Sequence, residues 1–250
     1  MKEKKFVITE KNVETYVKNI SLWIKKNVKS ANSNGVVLGL SGGIDSSVVA
    51  RLCQKADIKV QLVMMPYGNS TNNSKSMEDA KELISKFNFE FHIFDIKQTV
   101  DSFYINGENK EEVNLAKANI RPRVRMTYLY QYAQSNNMLV IGTSNLSERT
   151  VGYFTKWGDG ACDLNPIGML TKKEVYVLAR YLQIPDSIIN KQPSAELWEG
   201  QTDEQELGIS YEQIDNFILS GTSGDENIDS LIKSKSELAK HKLQEIPVFC

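Results

Sequence analysis

Apolar side chains at Val13, Tyr16, Val17, Ile20, Trp23, Ile24 and Val28 recur at the three- and four-residue spacing of a helix with one buried face. "NSNG" at 32–35 breaks that stripe, and "VVLGL" at 36–40 follows as a short, uniformly apolar run, the mark of a strand covered on both faces. "IDSSVVARLCQKA" reads as helix, "VQLVMM" at 60–65 as a second strand and "SMEDAKELISKFN" as a second helix. A third strand is predicted at 89–96 ("FEFHIFDI"), a long helix from about 111 to 135, and a fourth strand at 137–143 ("NMLVIGT"). Helical patterns resume at "YEQIDNFILS" and "NIDSLIKSKSELAKHKLQ". Strands alternating with helices predict βαβ units, hence an α/β fold with a doubly wound parallel sheet and helices on both faces. With 250 residues and no internal repeat or linker, one domain over 1–250 is expected.

Two polar stretches interrupt this rhythm. "YGNSTNNSKS" at 67–76 directly follows a strand, where open α/β sheets bind ligands. Residues 190–210, with "ELWEGQTDEQELG", form the other; both are expected to be disordered when empty and to close over substrates. The net charge of -1 gives no global attraction to nucleic acid or to an anionic membrane, so neither is expected as a partner. An anionic ligand would need locally placed charge. No apolar run reaches membrane length, the N-terminus lacks a secretory apolar region, and three scattered cysteines form no C-x-x-C, so a cytoplasmic location is expected. Two histidines are too few for a His-rich metal centre.

The chemistry gathers at "VVLGLSGGIDSS", residues 36–47. Its "GLSGG" matches the nucleophile elbow G-x-S-x-G, which would make Ser41 an attacking serine with His241 as the last triad member. Hydrolases of that kind place several strands before the elbow, and here Ser41 follows the first. The same residues also suit a phosphate cradle, in which Gly42 and Gly43 allow close backbone approach at a helix N-terminus while Ser41, Ser46 and Ser47 add hydroxyls. Neither G-x-x-x-x-G-K-[ST] nor G-x-G-x-x-G is present there.

"SGGIDSS" resembles the S-G-G-x-D-S signature of the ATP pyrophosphatases, which cleave ATP between the α and β phosphates. Four further segments, "ANIRPRVRM" (118–126), "GTSNLSERTVGYFTKWGDGACDLNPIGMLTKKEV" (142–175), "LWEGQTDEQELGISYEQID" (197–215) and "HKLQEIP" (241–247), resemble the NAD synthetases. That resemblance implies ammonia-dependent amidation of deamido-NAD, with ATP as co-substrate and Mg²⁺ as metal, through an adenylate with loss of pyrophosphate and AMP. With no glutaminase-like domain before the synthetase part, the ammonia-dependent form is the one implied. It also implies a homodimer whose dinucleotide site draws on both subunits, with the 111–135 helix at the interface.

Residue by residue, the resemblance assigns Gly39, Leu40, Ser41, Gly42, Gly43, Ile44, Asp45, Ser46, Ser47, Thr143, Lys172 and Ser194 to ATP, and Asp45 and Glu148 to Mg²⁺. Arg123, Lys156, Asp163, His241 and Lys242 are assigned to deamido-NAD, and Asp45, Asp163 and Lys172 to catalysis, Asp163 by orienting or deprotonating ammonia. His92, inside an apolar strand, reads as structural. "DENIDS" from Asp225 mimics half an EF-hand loop, but Ser230 stands where the loop's glycine belongs and Ser236 where its bidentate Glu does. Rival readings are another amide- or thio-transferring ATP pyrophosphatase, the serine hydrolase, and a non-catalytic nucleotide-binding protein.

Overall fold

The computed structural model describes residues 4, 6–68, 74–103, 115–194 and 202–249. Helix α1 (Val13–Ser30) leads into β1 (Gly35–Gly39), α2 (Ile44–Lys55), β2 (Lys59–Met64), α3 (Lys75–Phe87) and β3 (Phe91–Ile93). Next come α4 (Lys97–Asp101), α5 (Leu115–Ala118), α6 (Ile120–Asn136), β4 (Leu139–Val140) and α7 (Leu146–Val151). The chain ends through α8 (Lys172–Tyr181), α9 (Asp186–Ile189), α10 (Asp203–Leu207), α11 (Tyr211–Ser220) and α12 (Glu226–Leu243).

The four described strands form one parallel sheet in the order β3-β2-β1-β4. Alternation within β1 and β2 sends successive side chains to opposite layers. Val36, Leu38, Leu62 and Met64 join a core with α1, α2, α3 and α8. Val37, Val63 and Val140 join another with α4 and α6, through Val100, Val124 and Leu129. A smaller cluster of Val151, Leu207, Ile209, Ile214 and Ile232 ties α7 to α10, α11 and α12. The sheet is thus covered on both faces, as the uniformly apolar strands require.

The strand order grows from β1 in one direction to β2 and β3, then returns to its other side for β4. The crevice at the carboxyl ends of β1 and β4 is therefore the switch point of the sheet, where such folds take ligands.

Several boundaries differ from the sequence pattern. The helix expected at 111–135 has residues 111–114 outside the described set, and its remainder is broken at Asn119 between α5 and α6. Pro122 carries no N–H to donate back to the Ala118 carbonyl, so α6 starts afresh with the proline in its first turn. The third strand shortens to 91–93, and β4 to two residues extended by the Ile141–Leu164 bridge. Of the two expected mobile segments, residues 69–73 and 195–201 lie outside the described set.

Candidate active site

At that switch point lies a cavity of about 490 Å³. Its lining includes Gly39, Leu40, Ser41, Gly43, Ile44, Asp45, Ser46, Thr143, Glu148, Lys172, Ser194 and Lys242 among the residues assigned from sequence. Gly43 caps α2 in an extended conformation and places Asp45 in the first turn, so the loop after β1 presents backbone N–H groups and serine hydroxyls at a helix N-terminus. Gly42 adopts φ +79°, and a Cβ there would collide with the Ser76 carbonyl oxygen. Only glycine meets both demands. Ser47 is fully buried and donates to the Gly43 carbonyl at 2.8 Å, bracing the loop from behind.

Ser41 has no histidine beside it. Its hydroxyl lies 3.1 Å from Ser46 Oγ and accepts the Gly43 N–H at 3.1 Å. His92 Nε2 sits 2.9 Å from the Tyr128 hydroxyl, with ring contacts to Tyr128 and Tyr132, and His241 adjoins Lys156. A serine triad is excluded, and His92 is half-buried against α6 as a structural residue.

The centre of the site is a lysine held by two acids. Lys172 Nζ lies 2.6 Å from Asp45 Oδ2 and 3.3 Å from Glu148 Oε1, with only 3% of its side chain exposed. Burial by itself would push this ammonium down, but Asp45 and Glu148 outweigh it and hold its pKa well above the ordinary lysine range. Burial, reinforced by Asp45, pushes the Glu148 carboxyl up, with Lys172 opposing. With the Glu148 carboxyl pushed up to about 8, Asp45 and Lys172 roughly balance in charge, and a cation bound at this wall would favour the ionised form of Glu148.

Capping boxes deliver two of these residues. Asn145 caps α7 and Thr171 caps α8, each reciprocating with a glutamate three residues on. In the first box Glu148 Oε2 accepts the Asn145 N–H at 3.2 Å while Oε1 faces Lys172. In the second, Lys172 is the first helical residue, and its backbone N–H donates to Ser147 Oγ at 2.9 Å and Asp215 Oδ1 at 3.3 Å.

Four contributors were not anticipated from sequence. Asn145, fully buried, donates from Nδ2 to Asp45 Oδ1 at 2.9 Å. The Tyr211 hydroxyl lies 2.9 Å from Asp203 Oδ2 and 3.4 Å from Glu148 Oε1, and its ring centroid is 4.7 Å from Lys172 Nζ. Asp203 lines the cavity, and Asp215 accepts the Ser147 hydroxyl. The N-x-x-E and T-x-x-E spacings were legible cues for the caps; nothing local announces Tyr211, Asp203 or Asp215.

The residues assigned to the dinucleotide divide into two places. Arg123 Nε donates to the Lys156 carbonyl at 3.3 Å, Lys156 Nζ donates to the His241 carbonyl at 2.6 Å, and Lys242 Nζ donates to the Gly152 and Phe154 carbonyls. These four form one basic cluster where the end of α12 meets the segment after α7. Asp163 stands apart: its exposed carboxylate accepts the Val140 N–H at 2.8 Å and the Tyr130 hydroxyl at 3.3 Å, outside the cavity lining. The EF-hand mimic is a helix cap, with Asp225 accepting from Asn227 and Ile228 at the start of α12.

The NAD synthase family model matches residues 16–248. The chain belongs to the NAD synthase family. It is 42% identical over 244 residues to an NH(3)-dependent NAD(+) synthetase of Carboxydothermus hydrogenoformans, covering 95% of this chain and 99% of that one. Among solved structures, NH3-dependent NAD synthetase from Campylobacter jejuni shares 36% identity with a TM-score of 0.78, covering 95% of this chain and 99% of the other. NMN synthetase from Francisella tularensis shares 36% identity with a TM-score of 0.86, over 98% and 100%. The parallel sheet with helices on both faces is the ATP pyrophosphatase fold of these structural neighbours.

Proposed function

We propose that this chain is an AMP-forming carbon–nitrogen ligase that amidates deamido-NAD to NAD with ammonia and ATP. The observation that carries the reading is the junction of the phosphate loop with Asp45, Lys172 and Glu148 in one cavity wall. An oxygen of the pyridine carboxylate bonds to the α-phosphorus, the bond to the bridging oxygen breaks, and pyrophosphate departs with the electron pair. Ammonia, formed when ammonium loses a proton, then adds to the acyl carbon. The carbon–oxygen bond to AMP breaks, and the nitrogen gives up a second proton as the amide forms.

Catalysis here is positioning and charge balance. Residues 39–47 hold the departing pyrophosphate, with Ser41 as a donor rather than a nucleophile, and Lys172 offsets charge developing on the phosphates. Thr143 and Ser194 contact ATP from the cavity wall. Asp45 and Glu148 fit Mg²⁺: they are hard oxygen donors on one wall whose mutual repulsion a cation relieves. Among the described residues no group of three or more acidic, His or Cys side chains is arranged for a metal, so phosphate and water oxygens would complete its shell. Bound there, Mg²⁺ supplies charge neutralisation to the phosphate oxygens.

Arg123, Lys156 and Lys242, with His241 beside them, form the cationic seat for deamido-NAD. Asp163 lies outside the single-chain cavity, which supports a site completed by a second copy of the chain, with the exposed faces of α6 and of the 153–163 segment at the dimer interface. The cytoplasm is the compartment this reading implies; among the described residues no helix is long and apolar enough to cross a membrane.

A mononucleotide acceptor is the second reading, favoured by the likeness to NMN synthetase. Parallel assays with the acid forms of dinucleotide and mononucleotide separate them. A kcat/KM at least about tenfold higher for deamido-NAD, a difference of about 1.4 kcal/mol, is expected. Preference for the mononucleotide would overturn the dinucleotide assignment, and no amide from either would overturn the activity.

A further inference from the structure

Lys191 lies in the segment after α9 and lines the cavity. Its ammonium touches Ser76 Oγ and stands 3.6 Å from Asp79 Oδ2. Both partners belong to the first turns of α3, Ser76 buried and Asp79 with no exposed side-chain surface. The Ser76 carbonyl is the same group that forbids a side chain at Gly42. Lys191 is therefore connected to the phosphate loop through a single residue.

The charge pattern favours a further cation at that point, beside Lys172 and a Mg²⁺ at Asp45 and Glu148. Lys172 is already shared between Asp45 and Glu148. Two other cations lining the cavity are anchored elsewhere: Arg125 Nε donates to the Met65 carbonyl, and Lys242 to Gly152 and Phe154. A triphosphate on the loop brings several negative charges, and backbone N–H groups and hydroxyls alone do not neutralise them. A buried carboxylate such as Asp79 is costly unless it faces cations, here Lys75 at 3.2 Å and Lys191. It keeps Lys191 directed into the wall when no anion is bound. The four-carbon stem lets the ammonium reach an arriving phosphate without moving the backbone.

We propose that Lys191 is a further ATP-binding residue, its ammonium taking the β,γ-phosphates and then the departing pyrophosphate, with Asp79 as its buried positioning counter-ion. The proposal rests on the ATP-pyrophosphate reading of this cavity and adds the residue that holds the leaving group.

The test titrates inorganic pyrophosphate with Mg²⁺ into wild type, Lys191→Met, Lys191→Arg and Asp79→Asn by calorimetry, alongside steady-state kinetics. Lys191→Met is expected to weaken pyrophosphate binding and raise KM for ATP by about tenfold to a hundredfold, the loss of a charge-assisted hydrogen bond. The KM for deamido-NAD should stay within about twofold, since Ser76 and Asp79, which Lys191 meets, belong to α3 and not to the basic cluster. Lys191→Arg should recover part of the loss, and Asp79→Asn should move the same two constants in the same direction by less. Unchanged pyrophosphate binding in Lys191→Met, or all KM values rising together, would overturn the assignment. Wild type that binds no pyrophosphate would instead overturn the reading of the loop itself, so the two failures are distinguishable.

Discussion

A lysine buried between two carboxylates has no substitute of equal shape. Arginine would carry the charge on a wide planar fork in place of the compact ammonium that fits between Asp45 and Glu148. Lys172→Met leaves those acids facing each other, and kcat/KM should fall by at least about a hundredfold. Steady-state kinetics beside a thermal melt separate that loss from unfolding. Gly42→Ala should both destabilise the fold and raise KM for ATP, because a positive φ costs about 1–2 kcal/mol even before the collision with Ser76. Asp45 and Gly42 were legible in "SGGIDSS", where spacing along one short segment carries the chemistry. Asn145, Asp203 and Tyr211 were not. Their contacts join segments far apart in the chain, and an asparagine in "NLSE" looks the same whether it only caps a helix or also holds Asp45.

At the scale of elements, the two capping boxes decide where Glu148 and Lys172 stand. Glu174, which closes the second box, also accepts the Ile8 N–H at 2.7 Å and pairs with Lys4 at 2.7 Å, all out of solvent. Glu174→Ala strands those donors and should cost about 3–5 kcal/mol in urea unfolding, as for other broken buried pairs. Activity at low temperature should then fall less than stability does. His92→Phe keeps the ring packing against Tyr128 and Tyr132 and loses one hydrogen bond. It should leave kcat/KM within about twofold while lowering stability by about 1 kcal/mol. The helices were readable from their 3.6-residue stripes, since a one-sided apolar face is written in local order. The break at Asn119 traces to the missing N–H of Pro122 inside an otherwise continuous stripe, and the short β3 was not readable because its length depends on which backbone groups find partners across the sheet.

Across the whole molecule, the strand order places the loop after β1 and Thr143 after β4 on either side of one crevice. The alternating pattern disclosed the α/β class and the motifs disclosed the nucleotide chemistry. Hidden from that pattern was the separation of the residues assigned to the dinucleotide, with Asp163 apart from the basic cluster. A site completed by a second copy predicts that specific activity falls on dilution in step with dimer dissociation, read by sedimentation velocity at matched concentrations. Full activity from a monomer would contradict it.

In the proposed reaction the acceptor's own carboxylate attacks the α-phosphorus of ATP. Deamido-NAD labelled with ¹⁸O in both carboxylate oxygens tests it directly, with mass analysis of AMP, pyrophosphate and NAD after turnover with ammonium. One labelled oxygen in AMP, one in the amide of NAD and none in pyrophosphate is the predicted result. Unlabelled AMP, or label in pyrophosphate, would contradict it.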